Sequence, residues 1–287
     1  PMMYGWREGK MPKAKPPADA KAVWEIESKI EDGASGIHPT QKPVETIRRP
    51  ITYHTTPGGL IYEQTRSGIP VEIWTFMCGF PPEGAGDSPF AQMLHAEWGF
   101  SSAEETVRGR RLEDENAAAR VGATAVHFDF LDCIYRRGRN GDWLYTNVSV
   151  PPVEEDAGIP DRIAETVAAR LQPDDVLVCQ LAVGSHVDHV LVRMGAERLG
   201  RPLLYDIDIP YLFKFAGELP QKSAGMVESV HPITESGLKA WQEAVLAYVS
   251  QLPGLGEAMS TPEKARESLQ SYWAQREGIR LLQFVTS

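Results

Sequence analysis

Long apolar runs are missing from this sequence. No uninterrupted stretch of its 287 residues approaches the roughly 18 apolar residues that a membrane-spanning helix needs, so no membrane helix is expected. Cysteine is scarce. Cys78, Cys133 and Cys179 lie far apart, contain no Cys-x-x-Cys pair and are too few and odd in number for a disulfide framework. Residues 1–15 carry no apolar core of a secretory signal, and a reducing cytoplasm is the expected setting. Positive charge is also short, and the net charge is −10. Residues 1–63 hold nine Lys/Arg against eight Asp/Glu, whereas the remainder holds 20 against 31. An acidic body repels a phosphate backbone; this disfavours nucleic acid and favours a neutral or cationic small molecule. With 42% hydrophobic and 24% charged residues, the composition excludes wholesale disorder and fits one or two globular domains.

What is present divides near residue 58. Before it, residues 11–22 (MPKAKPPADAKA) show neither helical nor alternating periodicity and read as a connector. Residues 23–26 could form a short strand and residues 44–49 one short helix. After it, strand patterns at 71–76, 125–130, 176–182 and 202–205 alternate with helical ones. Ser88-Pro89 and Gly99 bracket a helix, and Ser102-x-x-Glu105 is a capping box for a helix reaching about Val121. Further helices are expected over 160–171, 189–199 and 236–252, and after Thr261-Pro262. Strands alternating with helices predict an α/β fold, with a mostly parallel sheet and helices on both faces. Ligands in such sheets sit beyond the carboxyl ends of strands.

One such end carries chemistry. The run Val176–Val183 leads into Gly184-Ser185-His186-Val187-Asp188-His189. His186 and His189, three apart, share a face at a helix start. Neutral imidazole is a favoured zinc ligand, a carboxylate nearby fixes its tautomer, and a second imidazole can polarise a carbonyl or protonate a leaving group. The plainer reading makes Asp188 a first-turn carboxylate answering the helix dipole, with the histidines as partly buried polar residues. Spacing alone leaves both open.

The segments GGLIYEQTRSGIPVEIWTFMCG, SPFAQMLHAEWG, RRLEDENAAARVGA, FDFLDCIYRR, VGSHVDH and DIDIPY follow one another as in the PIG-L (LmbE-like) family of zinc-dependent N-deacetylases. Residues 58–287 resemble that family throughout. The resemblance implies a Rossmann-like sheet, with His189 as a zinc ligand, His186 stabilising an oxyanion or acting as an acid, and Asp188 orienting a histidine. It also implies hydrolysis of an N-acetyl group on an amino sugar or similar amide as the reaction, with an N-acetylated small molecule as the partner. The family's other half-site, a His-Pro-Asp-Asp motif with two zinc ligands and the general base, would fall at Arg49-Pro50-Ile51-Thr52. Only the proline matches. His38-Pro39-Thr40 lies too far upstream and has no carboxylate, and His54 stands outside any such motif. Turnover is therefore expected to be impaired.

Residues 1–63 carry a different resemblance. MMYGWREGK, VWEI and IHPTQKPVETIRRPITYHTTPGGLIYE are similar to the C-terminal part of an amino-group (adenine-N6 or cytosine-N4) DNA methyltransferase. The catalytic Asp-Pro-Pro-Tyr or Asn-Pro-Pro-Phe motif and the S-adenosylmethionine loop of that family are absent. The two resemblances overlap at residues 58–63, which suggests a chimera: a methyltransferase-like fragment over 1–57, loosely packed or mobile, replaces the first strand of a deacetylase-like domain over 58–287. On this reading residues 59–67 are helical. The alternatives are a catalytically inactive α/β binding or remnant protein and, more weakly, a fragment of a DNA methyltransferase.

Smaller features give further expectations. Asp129 and Asp132 could line the cleft, and Asp206 and Asp208 are spare ligand candidates. Arg110 and Arg111 should pair with Glu113, Asp114 or Glu115 along their helix. Cys78, Cys179, Trp241 and Tyr248 should be packing residues.

Overall fold

Two adjacent glycines, Gly58 and Gly59, open a helix, and their lack of side chains decides how it packs. The computed structural model describes residues 2–5 as backbone, together with residues 58–276 and 278–284. Met2–Gly5 forms strand β1 and Gly58–Arg66 helix α1. A Cβ on Gly59 would lie 2.4 Å from Ile233 Cδ1 and 3.1 Å from the Gly237 carbonyl oxygen. Only a glycine lets α1 approach that closely. The helical expectation for residues 59–67 is borne out, apart from the last residue.

The remaining elements follow in the order β2 (Glu72–Thr75), α2 (Pro89–Trp98), α3 (Ala103–Arg120), β3 (Thr124–His127), α4 (Ile159–Ala168), β4 (Leu177–Gln180) and α5 (Val187–Glu197). After them come β5 (Leu203–Asp206), α6 (Tyr211–Phe215), α7 (Leu219–Lys222), β6 (Met226–Pro232), α8 (Glu235–Leu246), α9 (Pro262–Ala274) and β7 (Gly278–Phe284). The capping signals act as expected. Ser88 accepts from the Ala91 N–H, Gly99 closes α2 at φ 81°, and Ser102 accepts from the Glu105 N–H at the start of α3.

One seven-stranded sheet runs in the order β3-β2-β1-β4-β5-β7-β6. The β2–β3 and β4–β5 pairs are parallel. β1 lies between those pairs and antiparallel to both, with Tyr4 opposite Ile73 on one side and Val178 on the other. A segment from the N-terminal region thus takes the central strand position. β7 is antiparallel to β5 and β6, so five strands point one way and two against them. Helices α4 and α5 pack together, while α8 packs against α1, α3 and α9. Strand β4 is buried along its whole length, and Trp74, Phe76, Trp241 and Leu281 are among the side chains that fill the core. Cys78, Cys179, Trp241 and Tyr248 are buried, as expected.

No helix among the described residues is long and apolar enough to cross a membrane. The expectations placed on residues 11–22, 23–26 and 44–49, on His38 and His54, and on Arg49 to Thr52 lie outside the described residues.

Candidate functional site

Strand β4 hands its chain to α5 through a turn held in unusual backbone conformations. Ala182 (φ 61°) and Ser185 (φ 53°) are left-handed, as is Asp208 (φ 53°) in the loop after β5. Among the described residues these are the non-glycine positions with positive φ. Each such residue costs on the order of 1 kcal/mol and persists where its surroundings enforce it, commonly at functional sites. Here all three leave the carboxyl ends of adjacent parallel strands. Gly184 (φ 84°) lies under the Phe215 and Tyr211 rings, which a Cβ would meet at 2.8 and 2.9 Å. Glu218 Oε2 accepts from the Gly184 N–H and the Ser185 hydroxyl, both at 3.1 Å. The turn is thereby pinned from the α6–α7 side.

His186 is the N-cap of α5, and its Nδ1 accepts from the Asp188 N–H at 3.2 Å. Accepting there leaves the proton of the neutral ring on Nε2. The ring is half-buried, and desolvation pushes its pKa down to about 4, so it is neutral at pH 7. His189, one turn further on, is buried and stacks on His186 with centroids 4.8 Å apart. Its Nδ1 faces Asp208 Oδ1 at 3.5 Å, and the edge contact with Tyr211 has a centroid distance of 5.1 Å. Burial pushes the Asp208 carboxyl up, against the pull of the Val183 N–H on Oδ2.

Asp188 is fully buried, and its carboxylate is committed elsewhere. Oδ1 accepts from Arg136 Nη2 at 2.5 Å and Oδ2 from the Cys133 N–H at 3.0 Å. Arg136 is itself buried, pairs with Asp156 through Nε at 3.1 Å, and lies over the Tyr145 ring. The Tyr145 hydroxyl donates to Asp156 at 2.6 Å. Asp188 therefore orients His186 through its backbone N–H, while its side chain anchors a buried ionic cluster. Nothing local marks Arg136, Asp156 and Tyr145 as belonging here, because an arginine following an apolar run looks exposed until its partners are known.

A Cys133 sulfur, a His186 nitrogen and an Asp188 oxygen lie within 4.8 Å of one another. Each is already engaged. The thiol is pushed far up by burial, the His186 Nδ1 lone pair takes an N–H, and Arg136 supplies the cation beside Asp188. At His189 a buried carboxylate faces Nδ1, an arrangement that also stands behind zinc-bound histidines. A catalytic zinc takes about three protein ligands, and among the described residues no three-donor group includes His189.

Other expectations are revised. Arg110 also reaches Asp132 (3.2 Å) and Arg111 reaches Asp129 (2.7 Å) in the loop after β3, while the Arg110 cation still acts on Glu113 one turn along its helix. Asp132 also caps a short 3₁₀ turn at Ile134. With Met77, Val107, Arg110, Asp114 and Tyr135 among its neighbours it lines a small hollow that His186, Asp188 and His189 do not border. Asp206 accepts from the Asp208 N–H at 2.7 Å, holding that loop. His95, which sequence reasoning passed over, is buried against the Tyr135 hydroxyl at 2.7 Å.

The fold is shared with solved deacetylases. The chain is similar to the zinc-inhibited form of teicoplanin deacetylase Orf2, at 22% identity and a TM-score of 0.67 over 83% of this chain and 97% of that one. It is also similar to a deacetylase–bog complex from the teicoplanin biosynthesis pathway, at 23% identity and TM-score 0.66 over 83% and 97% of the two chains. A third likeness is to the A40926 pseudoaglycone deacetylase Dbv21, at 23% identity and TM-score 0.59 over 84% and 100%. No protein-family model and no curated protein matches the chain.

Proposed function

We propose that this chain carries a PIG-L-type N-deacetylase site, built to hydrolyse the N-acetyl amide of an amino sugar or similar small molecule, and that its turnover is impaired. The observation that carries the reading is the His186–His189 pair at the carboxyl end of a central strand. It stands on a fold like that of teicoplanin deacetylase Orf2. His189 would hold zinc, which when bound supplies Lewis-acid activation of water and carbonyl.

The chain's own contribution is clearest at His186. Its neutral ring, with Nδ1 occupied, presents Nε2–H as a fixed donor. A carbonyl oxygen gaining negative charge is stabilised by such a donor, because a site fixed in advance spends little on reorganisation. Asp188 and Arg136 keep that ring in place through the start of α5. The missing His-Pro-Asp-Asp motif accounts for the impairment: the general base and two ligands have no counterpart at the expected sequence position. An inactive α/β protein is the second reading, favoured by the lack of a three-donor group around His189 among the described residues.

Elemental analysis of purified protein and of His189→Ala, with acetate release from an N-acetylated amino sugar, separates the two. The expected result is zinc that disappears in the variant, with slow acetate release that disappears alongside it. Zinc content indifferent to His189, or absent from both proteins, overturns the deacetylase reading.

A further inference from the structure

We infer that Asp208, in the loop after β5, is the positioning residue that sets the tautomer of His189, placing the proton on Nδ1 and making Nε2 the acceptor nitrogen. The inference deepens the proposed function, since an acceptor nitrogen is what a zinc ligand needs.

Three observations carry it. The Asp208 and His189 side chains are both buried, with Oδ1 and Nδ1 facing each other at 3.5 Å. Among the described residues that oxygen takes no hydrogen bond, and the imidazole lies opposite it. The other candidate is excluded by its bonds: both Asp188 oxygens are taken, by Arg136 and the Cys133 N–H. Finally, Asp208 is held in place. Its Oδ2 accepts from the Val183 N–H, its own N–H reaches Asp206, and its backbone sits at φ 53°. That strain is stored in the residue that aims the carboxylate. A carboxylate opposite Nδ1 favours the tautomer with hydrogen there, and the second nitrogen of the ring is then the acceptor.

Asp208→Asn gives a sharp test because it reverses the preference. Its amide oxygen can keep the Val183 N–H while its NH2 group faces Nδ1 as a donor, which drives the ring proton to Nε2. The same exchange in a Ser-His-Asp triad leaves geometry intact and produces the wrong tautomer. Nitrogen-15 NMR of the full chain without added metal reads this directly, with the His189 signals identified by their loss in His189→Gln. The expected spectrum shows a protonated Nδ1 and an unprotonated Nε2 in the wild type, reversed in Asp208→Asn. Zinc affinity, measured by competition with a chromophoric chelator, should fall about 10- to 100-fold in the variant.

A wild-type ring protonated on Nε2 overturns the inference, as does a folded Asp208→Asn whose tautomer is unchanged. If the variant does not fold, the wild-type spectrum alone decides. A wild type with the expected tautomer that binds no zinc overturns the deacetylase reading while the Asp208–His189 pairing stands.

Discussion

Exchanging Arg136 for methionine removes one cation from between two buried carboxylates. In the native chain the guanidinium meets Asp188 at 2.5 Å and Asp156 at 3.1 Å, and all three residues are buried. Methionine fills much of the same volume but leaves both acids without a counter-charge. Breaking a buried pair in this way costs about 3–5 kcal/mol, mostly because the abandoned charge stays out of water. For a chain of this size the melting temperature should fall by about 6–20 °C. Equilibrium urea unfolding read by tryptophan fluorescence measures the loss as a lower midpoint at unchanged slope.

The pH dependence has a definite sign. Burial already raises the Asp156 carboxyl, with the Arg136 cation pulling against it. Without that cation it rises further, so folded protein binds protons that unfolded protein has released, and stability falls as pH rises through that window. The gap between variant and wild type should therefore narrow in acid. Adding Asp156→Asn and Asp188→Asn to the variant removes the stranded charges and should recover most of the loss. A single variant that loses less than about 1 kcal/mol, the range of an exposed ion pair, would refute the account.

Two further outcomes follow from features described above. His186 should titrate near pH 4 by NMR; because its folded pKa is depressed, the unfolded chain binds more protons, and the stability it contributes falls as pH drops from about 6.5 toward 4. A midpoint above 6 would contradict the desolvation. Gly237→Ala should cost about 1–3 kcal/mol, since a Cβ there would lie 2.5 Å from Glu63 Oε1 and 3.2 Å from the Gly59 carbonyl oxygen; a chemical denaturation midpoint equal to wild type would show that α1 and α8 separate freely.

The parts of this fold that were legible in the sequence are those set by local chemistry. Ser88-Pro89, Ser102-x-x-Glu105 and Thr261-Pro262 mark helix starts because a side-chain oxygen next to a hydrophobic period does the same thing wherever it stands. The buried strand Leu177–Gln180 and the histidines beyond it were equally plain. What stayed hidden depends on distant partners. β6 is an edge strand with most of its residues exposed, so no alternating pattern marks it. β1 is four residues long, and its place is set by the gap between β2 and β4. At the site, Asp208 was visible only as a spare carboxylate, because nothing local says which aspartate a histidine will face. Arg110 and Arg111 have acidic neighbours at helical spacing, and nothing local shows that the aspartates of a crossing loop reach them as well.

The central position of β1 has a kinetic consequence. Strands β2 and β3 lie close in sequence and can pair early, as can β4 and β5. The two halves of the sheet are joined, however, by a strand from residues 2–5 whose partners include Val178 and Cys179. Closing so long a loop is paid in entropy before the pairing rewards it, which slows folding. On the ribosome, β1 must wait for Val178, 174 residues after its partner Tyr4, before the sheet can close around it.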